Sequence, residues 1–209
     1  MGAIGDPYVS LNEIKAYLKV NETQFSLDDK LTLAVQAASR KINACCGRQF
    51  GRTSTATARL YEPSSLVRLE VDDFHTTDEL VVEVDSAGAG TFDQVWSSTD
   101  YELSPRNGIV DGEPGWPYHE IHAVGGKRFP DMRFLTRCAV VRVTAQWGWA
   151  EVPGPIKQAT LILASQLHKL AEAPHGVIGF GQFGEVRVKD IPQVYSLIHA
   201  YARDETFVW

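Results

Sequence analysis

Cysteine, methionine and long apolar runs are what this chain has least of. Its three cysteines, Cys45, Cys46 and Cys138, are an odd number with two adjacent. That does not build the paired framework of a small secreted disulfide protein. The expectation is synthesis in a reducing cytoplasm, with Cys45 and Cys46 as small buried residues near a helix end. No stretch of eighteen apolar residues occurs, so no membrane-spanning helix is expected. The opening MGAIGDPYVSLNEIK lacks the basic start and apolar stretch of a signal peptide. Asp6 also stands where a myristoylation pattern needs Ser or Thr. Basic residues are outnumbered 20 to 26, for a formal net charge of −6, which argues against an electrostatic grip on nucleic acid. There is no P-loop lysine motif, no G-x-S-x-G and no Ser, His and Asp set that spacing alone assembles. No residue pattern calls for catalysis or for a cofactor, and a non-enzymatic protein is expected.

What is present is ordinary globular material, 44% hydrophobic and 22% charged, enough to bury a core. A length of 209 residues fits one compact domain or a core with one insertion. Both ends read as helix. Ser10 and Glu13 form a capping box ahead of Leu11, Ile14, Tyr17 and Leu18 at helical spacing. Ser26 reads as a second N-cap, with Asp28 and Asp29 in the first turn. The apolar face then runs Leu27, Leu31, Ala34, Ala38, Ile42 and Cys45 to a C-cap at Gly47. A third helix opens near Pro155, carries Ile156, Ala159, Leu163, Leu167 and Leu170, and stops at Pro174 and Gly176. Asp190 reads as the cap of a last helix bearing Ile191, Val194, Leu197, Ile198 and Tyr201.

Between these helices the period changes to two. TATARLY, LVRLEV, ELVVEVD, DQVWS, YELS, EIHAV and AVVRVTAQWG read as short strands, with SAGAGT and RNG as turns. No helix separates them, so an antiparallel sheet or small barrel is expected rather than a parallel layout. The expected fold class is α+β: a helical bundle from the two ends, with an inserted antiparallel β domain. The expected boundaries are 1–52 for the N-terminal helical part, 53–149 for the β insertion and 150–209 for the C-terminal helices and tail.

Four short segments invite functional readings. GFGQFGEV, residues 179–186, fits the glycine-rich loop of kinases, and its first six positions fit the dinucleotide fingerprint. A dinucleotide site needs a preceding strand and a helix opening at the glycines, but here a helix precedes and EVRV follows. A kinase needs H-R-D and D-F-G downstream, and neither occurs. The segment instead reads as an aromatic-bearing loop whose Phe180 and Phe183 meet a partner surface. YHEIH places His119 and His122 on opposite faces of a strand, which makes a poor metal site. VDDFH, with Asp72, Asp73 and His75, reads as a polar turn. The tail FVW, Phe207 to Trp209, reads either as an anchor for a partner groove or as packing back on the protein's own core.

Several segments in this order resemble the head-to-tail connector, or neck adaptor, family of long-tailed bacteriophages. LDDKLTLAVQAASRKINACCGRQF supplies an Ala-rich helix ending in Gly47, Arg48 and Phe50. VTAQWGWAEVPGPIKQATLILASQLHKL supplies a strand ending in Trp147 and Gly148, then Val152, Pro153, Ile156, Lys157 and Ala159 leading into a helix. The segments SLNEIKAYLKV and IPQVYSLIHAYAR flank them, so the resemblance spans nearly the whole chain. It implies a structural virion protein at the head-tail neck, made in the host bacterial cytoplasm. Such proteins form a homo-oligomeric ring, twelve-fold in typical members, beneath the portal protein, and the ring receives a neck stopper or tail-completion protein. DNA would pass through the lumen without specific binding, which an acidic surface suits. The resemblance further implies portal docking by Phe207, Val208 and Trp209. It also implies a subunit or stopper contact through Gly179, Phe180, Gly181, Phe183 and Gly184. Two alternatives remain open: a neck stopper or tail-completion protein, and a non-viral, non-enzymatic binding module with a small β domain.

Overall fold

The computed structural model describes residues 3–21, 23–135, 138–172, 188 and 191–203. The chain forms two compact units, Met1–Phe50 with Val152–Trp209, and Gly51–Glu151.

The first unit is helical. Helix α1, Leu11–Leu18, starts at the expected capping box: the Glu13 amide donates to Ser10 Oγ, and the Ser10 amide donates to Glu13 Oε2 at 2.6 Å. Ile14 is fully buried. So is Lys15, whose ammonium pairs with the Asp28 carboxylate. Helix α2, Asp28–Cys46, is not capped by Ser26 as expected. Residues Phe25–Leu27 form a 3-10 turn that runs directly into the helix, and the Asp28 amide donates to the Phe25 carbonyl. A backbone carbonyl thus does there what a capping side chain would otherwise do. Asp28 and Asp29 do occupy the first turn, and Gly47 ends the helix in the left-handed region at φ 61°. The buried face comprises Leu31, Ala34, Val35, Ala38, Ser39, Ile42 and Cys46. Cys46, rather than Cys45, is the buried thiol, and burial pushes it up to about 12.

Helix α3, Gly154–Glu172, packs on α2, on α1 and on the last helix, Pro192–Ile198, and buries Ile156, Ala159, Thr160, Leu163 and Ala164. Leu167 is only half-buried and Leu170 is exposed, against expectation. Residues 169–171 are exposed, directly after buried His168. Helix α4, Pro192–Ile198, has Ile191 at its N-cap and a proline in its first turn, and it buries Val194 and Ile198. Asp190, expected as its cap, lies outside the described residues, as does the expected stop at Pro174 and Gly176. Phe50 closes this unit. It is fully buried and meets Tyr8 and Tyr201 edge-on at 5.7 and 6.0 Å, and its amide donates to the Tyr8 hydroxyl.

The second unit is antiparallel sheet. Its strands are β1 Thr57–Tyr61, β2 Arg68–Phe74, β3 Val81–Val84, β4 Gln94–Trp96, β5 Tyr101–Ser104, β6 Ile109–Val110, β7 Glu113–Pro114, β8 Tyr118–Ala123 and β9 Val141–Ala145. They form a four-stranded sheet in the order β1-β9-β3-β4, a three-stranded sheet β2-β8-β5, and the β6-β7 hairpin. The sheets are open rather than closed into a barrel, and the class is α+β. Asp111 and Gly112, both at positive φ, turn the hairpin, which is the usual D-G chemistry of a two-residue loop. VDDFH is not a turn. Asp72 and Asp73 lie within β2, because each side chain finds a partner there. Asp72 accepts from Arg59 and the Tyr61 hydroxyl, and buried Asp73 accepts from Trp149 Nε1 at 3.1 Å. The two ends of this unit are stitched together. Arg52 pairs with Gly148, the Thr53 amide donates to the Trp147 carbonyl, and the Trp149 amide donates to the Gly51 carbonyl.

Candidate interaction surfaces

The two segments read from sequence as contacts, Gly179, Phe180, Gly181, Phe183 and Gly184 in the glycine loop and Phe207, Val208 and Trp209 in the tail, lie outside the described residues. Among the described residues no group of three His, Cys, Asp or Glu side chains could hold a metal ion. His119 and His122 sit on β8, and strand alternation puts them on opposite faces. His122 shares its face with Glu120, their side chains 3.0 Å apart.

The solvent-facing sides of the two sheets differ in chemistry. On the three-stranded sheet, register places Arg68 across from His122 and Glu70 across from Glu120, with Glu102 beside His122 on β5. Arg68 pairs with Glu120, and Arg106 donates to Glu102 at 2.7 Å. Burial pushes the Glu120 carboxyl up, but the hydrogen bond and charge of Arg68 outweigh this and hold it below its ordinary value. Such a charged face is what water requires of an exposed sheet.

On the four-stranded sheet one cross-strand row reads Leu60, Arg142, Glu83, Val95, and the next reads Ala58, Thr144, Val81. Leu60 is 55% exposed and Val95 64%. Between them Arg142 grips Glu83 through two bonds of 2.6 Å and stacks 4.5 Å over the Phe92 ring. The hydrogen bonding from Arg142 holds the Glu83 carboxyl below its ordinary value. The face is therefore apolar around one self-neutralised pair. Sequence reasoning missed it, although there was a signal. In TARLY and VVEV apolar residues occupy both parities, where a half-buried strand should alternate.

Elsewhere in this unit residues 62–66 and 130–133 enclose an open cleft of about 620 Å³, with Phe134 beside it at 81% exposure. Charge is also unevenly divided. The β unit holds nine Lys and Arg against sixteen Asp and Glu, a net −7, whereas the helical unit holds eleven against ten, a net +1.

Six of the ten motif residues quoted for the resemblance turn out to be architectural. Gly47 is a left-handed helix end, and Phe50, Trp147, Ile156 and Ala159 are fully buried. The Trp147 indole donates to the Thr57 carbonyl at 2.8 Å. Gly148 sits at φ 95°, where an added Cβ would stand 1.8 Å from the Gly51 carbonyl oxygen.

No family model matches the chain, and no curated protein matches it. Among solved structures, it is similar to a chain described as "Neck of empty GTA particle computed with C6 symmetry", GTA being a gene transfer agent, a phage-like particle. The two are 18% identical, with a TM-score of 0.55 over 93% of this chain and 89% of that one. This chain has the fold of a phage-like neck protein. The likeness covers both the helical and the β parts, so the β insertion belongs to the shared architecture.

Proposed function

We propose that the protein is a head-to-tail adaptor, a structural neck component that forms a homo-oligomeric ring below a portal protein, extends the DNA channel and receives the next neck protein. The observation that carries this reading is the fold shared along 93% of the chain with a neck component of a phage-like particle. Two features support it. The order of the helical motifs resembles that of the adaptor family, and the acidic excess lies in the β unit, where it would repel DNA phosphates rather than hold them. In this reading Phe207, Val208 and Trp209 dock on the portal. The loop carrying Gly179, Phe180, Gly181, Phe183 and Gly184 contacts a neighbouring subunit or the stopper. The three sheets favour one second reading, a neck stopper or tail-completion protein.

The test is capture of purified portal by this protein with and without residues 204–209, sized by mass photometry. A ring-sized mass increase on portal supports the adaptor, and its loss on truncation supports the tail anchor. An increase that survives truncation keeps the adaptor and removes the anchor. Absence of portal binding in both forms removes the adaptor reading in favour of the stopper.

A further inference from the structure

We propose that the outer face of the four-stranded sheet, with Ala58, Leu60, Val81 and Val95 around the Arg142–Glu83 pair, is where a second copy of this chain packs. The inference rests on the reading of the protein as a self-assembling neck component, and it names the surface that assembly uses.

Three observations carry it. First, the two sheets supply an internal comparison. The outer face of β2-β8-β5 carries Arg68, Glu70, Glu120 and Glu102, whereas that of β1-β9-β3-β4 leaves Leu60 and Val95 more than half exposed in one cross-strand row. Ala58 and Leu60 on β1, Val81 on β3 and Val95 on β4 expose apolar side chains on this one face, flanking Arg142 and Thr144 of β9. Second, the charges inside the patch already satisfy one another. Arg142 makes two bonds to Glu83 and lies over Phe92, so the two charges already neutralise each other when the face is covered. The pair is held in place before any partner arrives, and little side-chain freedom is lost on association.

Third, charge selects the occupant. This unit carries a net −7, so a basic partner would be drawn to its acidic surfaces, and nucleic acid would be repelled. A face with no net charge is the one through which an equally acidic body can approach. Another copy of the chain is such a body. In a closed ring the face would meet a different surface of the next copy, because head-to-tail contacts are what generate rings.

Sedimentation velocity of the full-length protein from low micromolar to the highest soluble concentration tests this. The variant carries Leu60→Glu with Val95→Glu. The control is Glu70→Gln, on the charged face of the other sheet. The proposal expects wild-type self-association that the double variant weakens by roughly tenfold or more, with the control within about twofold of wild type. Both changed side chains face solvent, and circular dichroism melts check the fold. If the glutamates unfold the protein, Leu60→Gln with Val95→Thr replaces them. Equal association of wild type and variant overturns the proposed face while leaving a self-assembling protein. A wild type that stays monomeric throughout also overturns it, and portal-dependent ring formation then remains to be judged by the portal capture experiment alone.

Discussion

Gly148 shows how little room some positions leave. It sits at φ 95°, and an added Cβ would meet Gly51 O at 1.8 Å, Gly51 C at 2.8 Å and Arg52 Cα at 2.9 Å. All three are backbone atoms, so no side chain can rotate away. Gly148→Ala must break the Arg52–Gly148 pairing and should cost more than about 3 kcal/mol. Urea unfolding measures this, and a loss under about 1 kcal/mol would contradict the packing described. Glu83 gives a prediction with a sign. Arg142 holds its folded carboxyl below the ordinary value of 4.5. The charged form is therefore favoured in the folded state. Its stabilisation is complete above the unfolded value and fades as pH falls through the folded one. Glu83→Gln should be less stable than wild type at pH 7 by about 0.5–1 kcal/mol, a size suited to a solvent-screened pair. Paired melts should show the difference shrinking below pH 4.5. A gap that widens on acidification would reverse the assignment.

At the level of elements, turns are held by single side chains whose partners are close in sequence. Asp85 follows β3 and is fully buried. Its two oxygens accept from the Ala89 and Gly90 amides at 3.0 and 2.6 Å, and its own amide donates to the Val140 carbonyl. Asp85→Ala leaves both amides without that acceptor and should cost about 1–3 kcal/mol. Amide exchange at Ala89 and Gly90 should accelerate well beyond that of β9, and unchanged exchange there would refute the role. The same locality made the Ser10–Glu13 capping box and the Gly47 helix end legible in advance. Ser26 was not legible as part of a 3-10 turn, because its composition suits a cap equally well. Asp72 and Asp73 look like turn residues only until Arg59, Tyr61 and Trp149 arrive from distant segments.

For the whole molecule, the consequential fact is how the β unit begins and ends. Gly51, Arg52 and Thr53 bond to Trp149, Gly148 and Trp147, so the chain enters and leaves through one paired seam. Its core residues Leu69, Phe74, Val82, Ile121, Val143 and Trp147 are fully buried. A fragment of residues 51–151 should therefore fold by itself, with dispersed amide resonances and a cooperative melt. Collapsed spectra from that fragment would show that the β unit depends on the helices.

Sequence alone determined what is local. The start of α1 and the end of α2 follow from residues within four positions of the backbone groups they serve. The change of period from 3.6 to 2 marks where helix gives way to strand, and the absence of intervening helices made the strands antiparallel. Only the tertiary structure decided which strands pair and which sheet face meets water. β1 lies beside β9 rather than β2, and that pairing puts Leu60, Arg142, Glu83 and Val95 in one row. The reason is physical. A cap or a turn is satisfied by neighbours along the chain, whereas register and burial are satisfied by whatever the fold brings near in space, and a residue such as Leu60 has no local feature that says whether it will be covered.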